Sequence, residues 1–205
     1  MAVAASSRRE SSEDRRAAIA RAASELIVEK GVEGLRTRAI AERVGINIAT
    51  LHYHVPTKEA LIGLVAETMK TEFRAQSLAR PRAHLSAAER LEHEFYDFEE
   101  MYTERPEIIT VMGELIERAR RDPVVEAAVA PLQTHWHRMV ADIFADGRRE
   151  GSFRPDLDPE PAATIFIGAL IAFCRSGDTS NDAFLRLCAE LRRFVRRPEL
   201  IEDRP

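Results

Sequence analysis

Between Asn47 and His54 the chain reads Asn-Ile-Ala-Thr-Leu-His-Tyr-His, with no carboxylate in the run. Asn47, Thr50, His52, Tyr53 and His54 offer amide, hydroxyl, phenol and imidazole groups. Such groups donate to phosphate oxygens and pair with the edges of bases. Ile48 and Ala49 add apolar contact, and Ala49 is small enough to let a helix come close to base edges. Its methyl, or that of Thr50, can meet the methyl of thymine. Thr37 and Arg38 ahead of this run, and Lys58 behind it, are placed to hold a phosphate backbone on either side. This is the chemistry of recognition rather than reaction.

The elements that must position these groups are two short helices and a tight turn, over about residues 36–55. Ile40, Val44, Ile46, Leu51 and Val55 supply the apolar positions, and Ala41 is small where two helices cross. Gly45 sits where the turn needs a backbone conformation that other residues resist. The second helix is expected over about Arg38–Val44 with Thr37 as its cap, the third over about Ile48–His54 with Asn47 as its cap. Pro56 ends the third. On a wheel of about 100° per residue, Leu51 points inward and Ala49 and Tyr53 point away. Thr50 and His52 flank that outer face, and Ile48 and His54 lie nearer the buried side.

Composition bounds the rest. The chain has 205 residues and is 45% hydrophobic, enough for a substantial core. No apolar run reaches the ~18 residues of a membrane span, and residues 1–14 lack the apolar stretch of a secretory signal. A cytoplasmic protein without a membrane partner is expected. The net charge of −4 hides a split: residues 1–58 hold ten Lys/Arg against seven Asp/Glu, and residues 59–205 hold twenty against twenty-seven. Cations are needed only where a polyanion docks.

An enzyme is not expected. There is no phosphate-binding glycine loop, nucleophile elbow or paired zinc-ligand motif. His135 and His137 bracket Trp136 at a spacing that turns them to different sides of a helix, and His93 and Glu94 are adjacent. Cys174 and Cys188 match no zinc spacing and read as small buried side chains. No metal and no cofactor are expected.

The whole chain reads as helix. Residues 1–12 form a polar tail whose Arg8 and Arg9 could reach DNA as a floating arm. The first helix runs from about Glu13 to Lys30, capped by Ser11 or Ser12 and stopped by Gly31. Thr57 caps a fourth that reaches about Ala79. Ser86 and Glu89 form a capping box for a fifth, and Pro106 opens a sixth. Asp122-Pro123 opens a seventh to about Arg149, which Pro131 should kink or split. Asp158-Pro159 starts an eighth, apolar almost all round from Ala162 to Cys174. The last covers about Asn181–Arg197.

Gly31, Thr37-x-x-Ile40-Ala41-x-x-Val44-Gly45-Ile46 and Thr50-Leu51-His52-Tyr53-His54-Val55-x-x-Lys58-Glu59-x-Leu61 together resemble the DNA-binding domain of the TetR (tetracycline-repressor-like) family of bacterial transcription regulators. The sequence likeness is specific over residues 13–73; beyond them only length and the helical pattern agree. The resemblance implies an all-α fold: an N-terminal three-helix helix-turn-helix domain (13–73), joined through a shared helix to a larger ligand-binding and dimerisation domain (82–197). It further implies a homodimer, a palindromic double-stranded DNA operator, and a small-molecule effector of unknown identity that releases DNA. One position departs from the family: His52 stands where Tyr is usual, which would make a contact there sensitive to pH. A ligand-independent architectural DNA binder and a transcriptional activator are the alternatives.

In the C-terminal part, Phe95, Phe98, Met101, Tyr102, Met112, Leu115, Trp136 and Met139 are the expected pool of wall residues for a largely apolar effector, with Met suited to an adaptable site. The last two helices are expected at the dimer seam through Ile165, Ala169, Phe173, Phe184, Leu187, Leu191 and Phe194. The other reading of that stripe is that it completes the core of one protomer.

Overall fold

The structure, a computed structural model, describes residues 11–196. Arg8 and Arg9, and the expected end of the last helix at Arg197, lie outside the described residues, as does the tail before Ser11. Ser11 caps α1 (Ser12–Lys30): its hydroxyl accepts from the Asp14 N–H while the Asp14 carboxylate accepts from the Ser11 N–H. Two donors that the first turn leaves open are thereby satisfied. α1 turns Ile19, Ala23, Leu26 and Ile27 inward. A single 3-10 turn at Val32–Gly34 leads into α2 (Thr37–Val44) and α3 (Ile48–His54).

The cap of α2 departs from expectation. Arg36 occupies that position without a side-chain bond, and Thr37 is already the first helical residue. The Ile40 N–H bonds to the Arg36 carbonyl oxygen, so the helix begins one residue earlier than the side-chain types suggest. The expected caps at Asn47, Thr57 and Ser86 are present, each accepting from a backbone N–H three residues on. A cap of this kind contributes about 1 kcal/mol.

The remaining elements are α4 (Lys58–Ala79), α5 (Ala87–Glu104), α6 (Pro106–Ala119), α7 (Pro123–Glu150), α8 (Pro159–Cys174) and α9 (Asn181–Val195). α7 passes through Pro131 without being split. Its first turn and last turn are set by Pro123 and Gly151, the latter at φ 81°. Among the described residues the only extended pairing is an isolated bridge between Phe153 and Arg196. No described helix is long and apolar enough to cross a membrane.

By its internal contacts the chain forms two compact units. Of the described residues, one holds those through Arg74 together with Thr110–Val129; the other holds Ala75–Ile109 and those from Ala130 onward. α4, α6 and α7 each contribute residues to both. In the first unit Ile19, Ile40, Leu51 and Val65 are wholly buried, and α1, α2 and α3 pack against one another. The core of the second unit is built around Phe95, Phe98, Phe144, Phe166, Leu170 and Phe184. Their rings meet edge-on, as between Phe144 and Phe166 at 5.7 Å, tilted, as between Phe95 and Phe166, or stacked, as between Phe98 and Phe184.

Candidate nucleic-acid interface

The turn between α2 and α3 is made by Gly45 in the left-handed region, φ 73° and ψ 34°. The Gly45 N–H bonds to the Glu42 carbonyl oxygen at 3.2 Å, and the Ile46 N–H reaches back to the Ala41 carbonyl oxygen at 2.9 Å. These bonds close the end of α2 and turn the chain sharply. Asn47 then starts α3, its side-chain oxygen accepting from the Thr50 N–H at 2.7 Å.

α3 is pinned by one residue and displays another. Leu51 is 0% exposed, whereas Tyr53, two residues on, is 83% exposed. Ala49 and His52 are exposed too, with Thr50 and His54 half-buried between the two faces. Ile48 was expected nearer the buried side but is 44% exposed. As the first residue of α3 it points back over the helix start, where no preceding turn covers it.

Several of these groups already have local partners. The amide oxygen of Asn47 is used by its cap, which leaves the NH2 group for other contacts. His52 Nδ1 lies 3.3 Å from the Pro56 carbonyl oxygen. The Tyr53 and His54 rings meet edge-on at 5.1 Å. Arg38 pairs with Glu42 at 3.0 Å on an exposed turn, an interaction that water screens heavily. Thr37 and Arg38 open α2 and Lys58 opens α4, all three exposed. The expected residues therefore fall on three helix starts and one helix face of the same unit.

Sequence reasoning missed two cations. The Arg16 guanidinium donates to the His54 carbonyl oxygen at 2.8 Å, closing the C-terminal end of α3 from α1. Arg36 stands exposed at the start of α2. The one signal for Arg16 is a basic residue on the polar side of the first helix. Nothing in its neighbours says that this side reaches the end of the third.

The unit is braced away from this face. Arg43 of α2 makes a two-pronged pair with Glu29 of α1 at 2.8 and 3.0 Å. Arg118 of α6 pairs with Glu33 in the 3-10 turn and with Asp122 at 3.1 Å. These pairs tie α2 to α1 and α6 to the 3-10 turn.

The expected effector-wall residues do not form one group. Phe95, Phe98, Tyr102 and Trp136 share the core of the second unit, with Phe98 stacked on Trp136 at 6.3 Å and on Phe184 at 6.1 Å. Met101 and Met139 are half-buried in that unit. Met112 and Leu115 belong to the first unit instead. Beside Trp136 lies Glu94, the only buried charged side chain among the described residues. It accepts from Trp136 Nε1 at 3.3 Å and from Arg82. Burial pushes its carboxyl above the usual range, against the pull of Arg82.

Of the expected dimer residues, Phe173, Phe184 and Leu191 are buried within the protomer's own core. Ala169, Leu187 and Phe194 are half-buried and pack against it. Ile165 is 52% exposed, and Gly168 and Ala172 share its side of α8. Within the protomer, the Phe184 ring meets Phe98 and Tyr102 of α5 and Phe173 of α8. Burial also pushes the thiols of Cys174 and Cys188 up, to about 11 and about 12. Neither is an activated thiolate.

Comparison with known proteins agrees with this architecture. Residues 19–65 match the model of bacterial regulatory proteins of the tetR family, and residues 110–183 match a tetracyclin repressor-like C-terminal domain. Over 62 residues the chain is 42% identical to the class A tetracycline repressor from transposon 1721 of Escherichia coli, covering 30% of this chain and 29% of that protein. Against the class C tetracycline repressor of Escherichia coli the figures are 45% over 56 residues, 27% and 26%. The chain therefore matches under a third of the length of these relatives. Among solved structures, a transcriptional regulator from Saccharomonospora viridis in complex with choline superposes with a TM-score of 0.76 at 22% identity, covering 90% of this chain and 100% of that one. A TetR-family regulator from Agrobacterium tumefaciens gives 0.77 at 18%, covering 91% and 100%. AibR, in complex with isovaleryl coenzyme A and operator DNA, gives 0.73 at 21%, covering 89% and 98%. With an N-terminal and a C-terminal family model matched in order along it, the chain belongs to the tetracycline-repressor-like (TetR) family.

Proposed function

We propose that this protein is a cytoplasmic transcriptional regulator that reads double-stranded DNA with α3 and acts as a homodimeric repressor released by a small effector. The observation that carries the reading is the geometry of α3. Leu51 anchors it completely while Tyr53, 83% exposed, stands out on a face without carboxylates. An exposed aromatic on a seven-residue helix, held at both ends by Asn47 and Arg16 and meeting the neighbouring His54 ring edge-on, stays outside the buried core of the protomer. It is suited to a major groove, where its hydroxyl meets phosphates or base edges. Ala49 and Thr50 lie on the adjoining surface, and Thr37, Arg36 and Lys58 hold the backbone on either side.

One such helix reads few base pairs. Two copies about a two-fold axis would place two of them in successive grooves and so read a palindrome. The exposed apolar side of α8, with Ile165, Gly168 and Ala172, and Leu185 of α9, 51% exposed, supports that pairing through a face the protomer leaves uncovered. α4 and α6 each contribute residues to both compact units, which suits them to carry a change from a ligand-binding part to the DNA-reading part. Coupling of this kind typically amounts to ~1–3 kcal/mol, or ~5–150-fold in affinity. The solved structure of AibR holds isovaleryl coenzyme A and operator DNA, and the shared fold supports the same division of labour here.

The test is selection from a random double-stranded DNA pool with the purified full chain, followed by mass measurement of the free protein and of the complex. Enrichment of a two-fold-symmetric site, bound by two copies, is expected. Recovery of unrelated sequences with equal affinity would refute sequence-specific regulation, and a monomer on a single half-site would refute the dimer.

A further inference from the structure

The fold gives the two ring nitrogens of His52 different tasks. α3 ends at His54, and Val55 leaves the helical region at φ −141° and ψ 87°. The chain then carries the Pro56 carbonyl oxygen to within 3.3 Å of His52 Nδ1. A carbonyl oxygen can only accept. In the neutral imidazole the proton of this pair therefore sits on Nδ1, and Nε2 is left as an acceptor. The side chain is exposed, and Nε2 has no hydrogen-bond partner among the described residues. The other imidazole of α3, His54, is half-buried and meets the Tyr53 ring.

That arrangement restricts what His52 can touch on a duplex. Phosphate oxygens accept and offer no proton, so a nitrogen lone pair finds no partner there. In the major groove each base pair presents one donor, the amino group of an adenine or of a cytosine. The neighbouring polar groups are less restricted. Lys58, Arg36 and the Asn47 NH2 group donate, and the Thr50 and Tyr53 hydroxyls both donate and accept. All of these suit phosphates as well as bases. Among the α3 side chains His52 alone offers an acceptor without a donor.

We propose that His52 reads bases: its Nε2 accepts from the amino group of an adenine or a cytosine in the major groove, while the Pro56 carbonyl holds the ring in the tautomer this needs. His52 then determines specificity and does not grip the backbone. One position in each bound half-site favours A or C over G or T on the strand the ring faces, because G and T place an acceptor oxygen where A and C place the amino group. The inference rests on the reading of α3 as the DNA-reading helix and adds which bases one of its side chains selects.

The test has two arms, both with the full chain at about pH 8, above the ordinary imidazole range. Long-range proton–nitrogen NMR spectra of the free protein, with His52 assigned by the signal lost in His52→Phe, should show the Nδ1–H form. The Nε2–H form, or averaging between the two, would overturn the proposal. In the second arm the DNA selection is repeated with His52→Phe, which keeps a ring and removes both nitrogens. The parent should favour A or C at one position by about fivefold, and the variant should lose that preference and keep the others. Nebularine in place of the selected adenine, or pyrimidinone in place of the selected cytosine, lacks the amino group. It should weaken the parent by a similar factor and leave His52→Phe unaffected. A specific site whose base profile is unchanged in His52→Phe sinks the His52 assignment alone, and a lowered melting temperature beside it makes the Pro56 bond purely structural. Failure of the parent to enrich any site sinks the regulator reading, and the base contact falls with it whatever the tautomer.

Discussion

The Arg16 side chain donates to the His54 carbonyl oxygen at 2.8 Å, so the first helix of the fold closes the end of the third. A helix of seven residues has little stability of its own and depends on such ties. Arg16→Ala should cost about 1 kcal/mol in denaturant unfolding and should weaken binding to the selected DNA. Arg16→Lys separates two causes. Restored DNA affinity would mean that charge near the phosphates matters, whereas an Ala-like loss would mean that the fixed fork of the guanidinium holds α3.

Gly45 adopts φ 73°, and a Cβ placed there meets nothing within 4 Å. The cost of Gly45→Ala is therefore backbone strain alone, about 1–2 kcal/mol. Gly45→Asn should be milder, since Asn tolerates this region better. Equal melting temperatures for Gly, Ala and Asn would contradict a strained turn.

Tyr53 and Lys58 should separate base reading from backbone grip. Tyr53→Ala should reduce affinity for the selected site while leaving stability and oligomeric state intact, because the side chain is 83% exposed. Lys58→Ala should weaken all sequences about equally and lower the salt slope by about one unit. A shift in base preference on replacing Lys58, seen by repeating the selection, would assign it to the bases instead.

Gly147 of α7 is required for a different reason. A Cβ there would run into the Phe153 ring, which lies over the helix where the Phe153 N–H bonds to the Gly147 carbonyl oxygen at 3.0 Å. Gly147→Ala should destabilise by about 1–3 kcal/mol through overpacking. The double change Gly147→Ala with Phe153→Leu should recover part of that loss in thermal melting.

Glu100 is held at about 2, against an ordinary 4.5, by the Arg80 fork and then by Gln76. A carboxyl lowered in the folded state contributes stability that is full above pH 4.5 and disappears as pH falls towards 2. The melting difference between the parent and Glu100→Gln should therefore shrink across that interval. A difference independent of pH would remove the ion pair as its cause.

Local patterns in the sequence determine much of this protein. The helix starts at Ser11, Asn47, Thr57 and Ser86, the turn at Gly45, and the opposed Leu51 and Tyr53 faces of α3 follow from capping, positive φ and helical period. Each of these acts within a few residues and is readable without knowing what lies across the fold.

Tertiary structure decided what periodicity leaves open. An apolar stripe states that a face is buried but does not name what covers it. Phe184 and Leu191 turn into the protomer's own core, and Ile165 stays outside it. Met112 and Leu115 join the first unit although they follow Phe98 by fewer than 20 residues. The Arg16–His54 tie spans 38 positions and the Arg118–Glu33 pair spans 85. Charged partners so far apart leave no mark in local sequence, because only packing of the intervening helices brings them within hydrogen-bond reach.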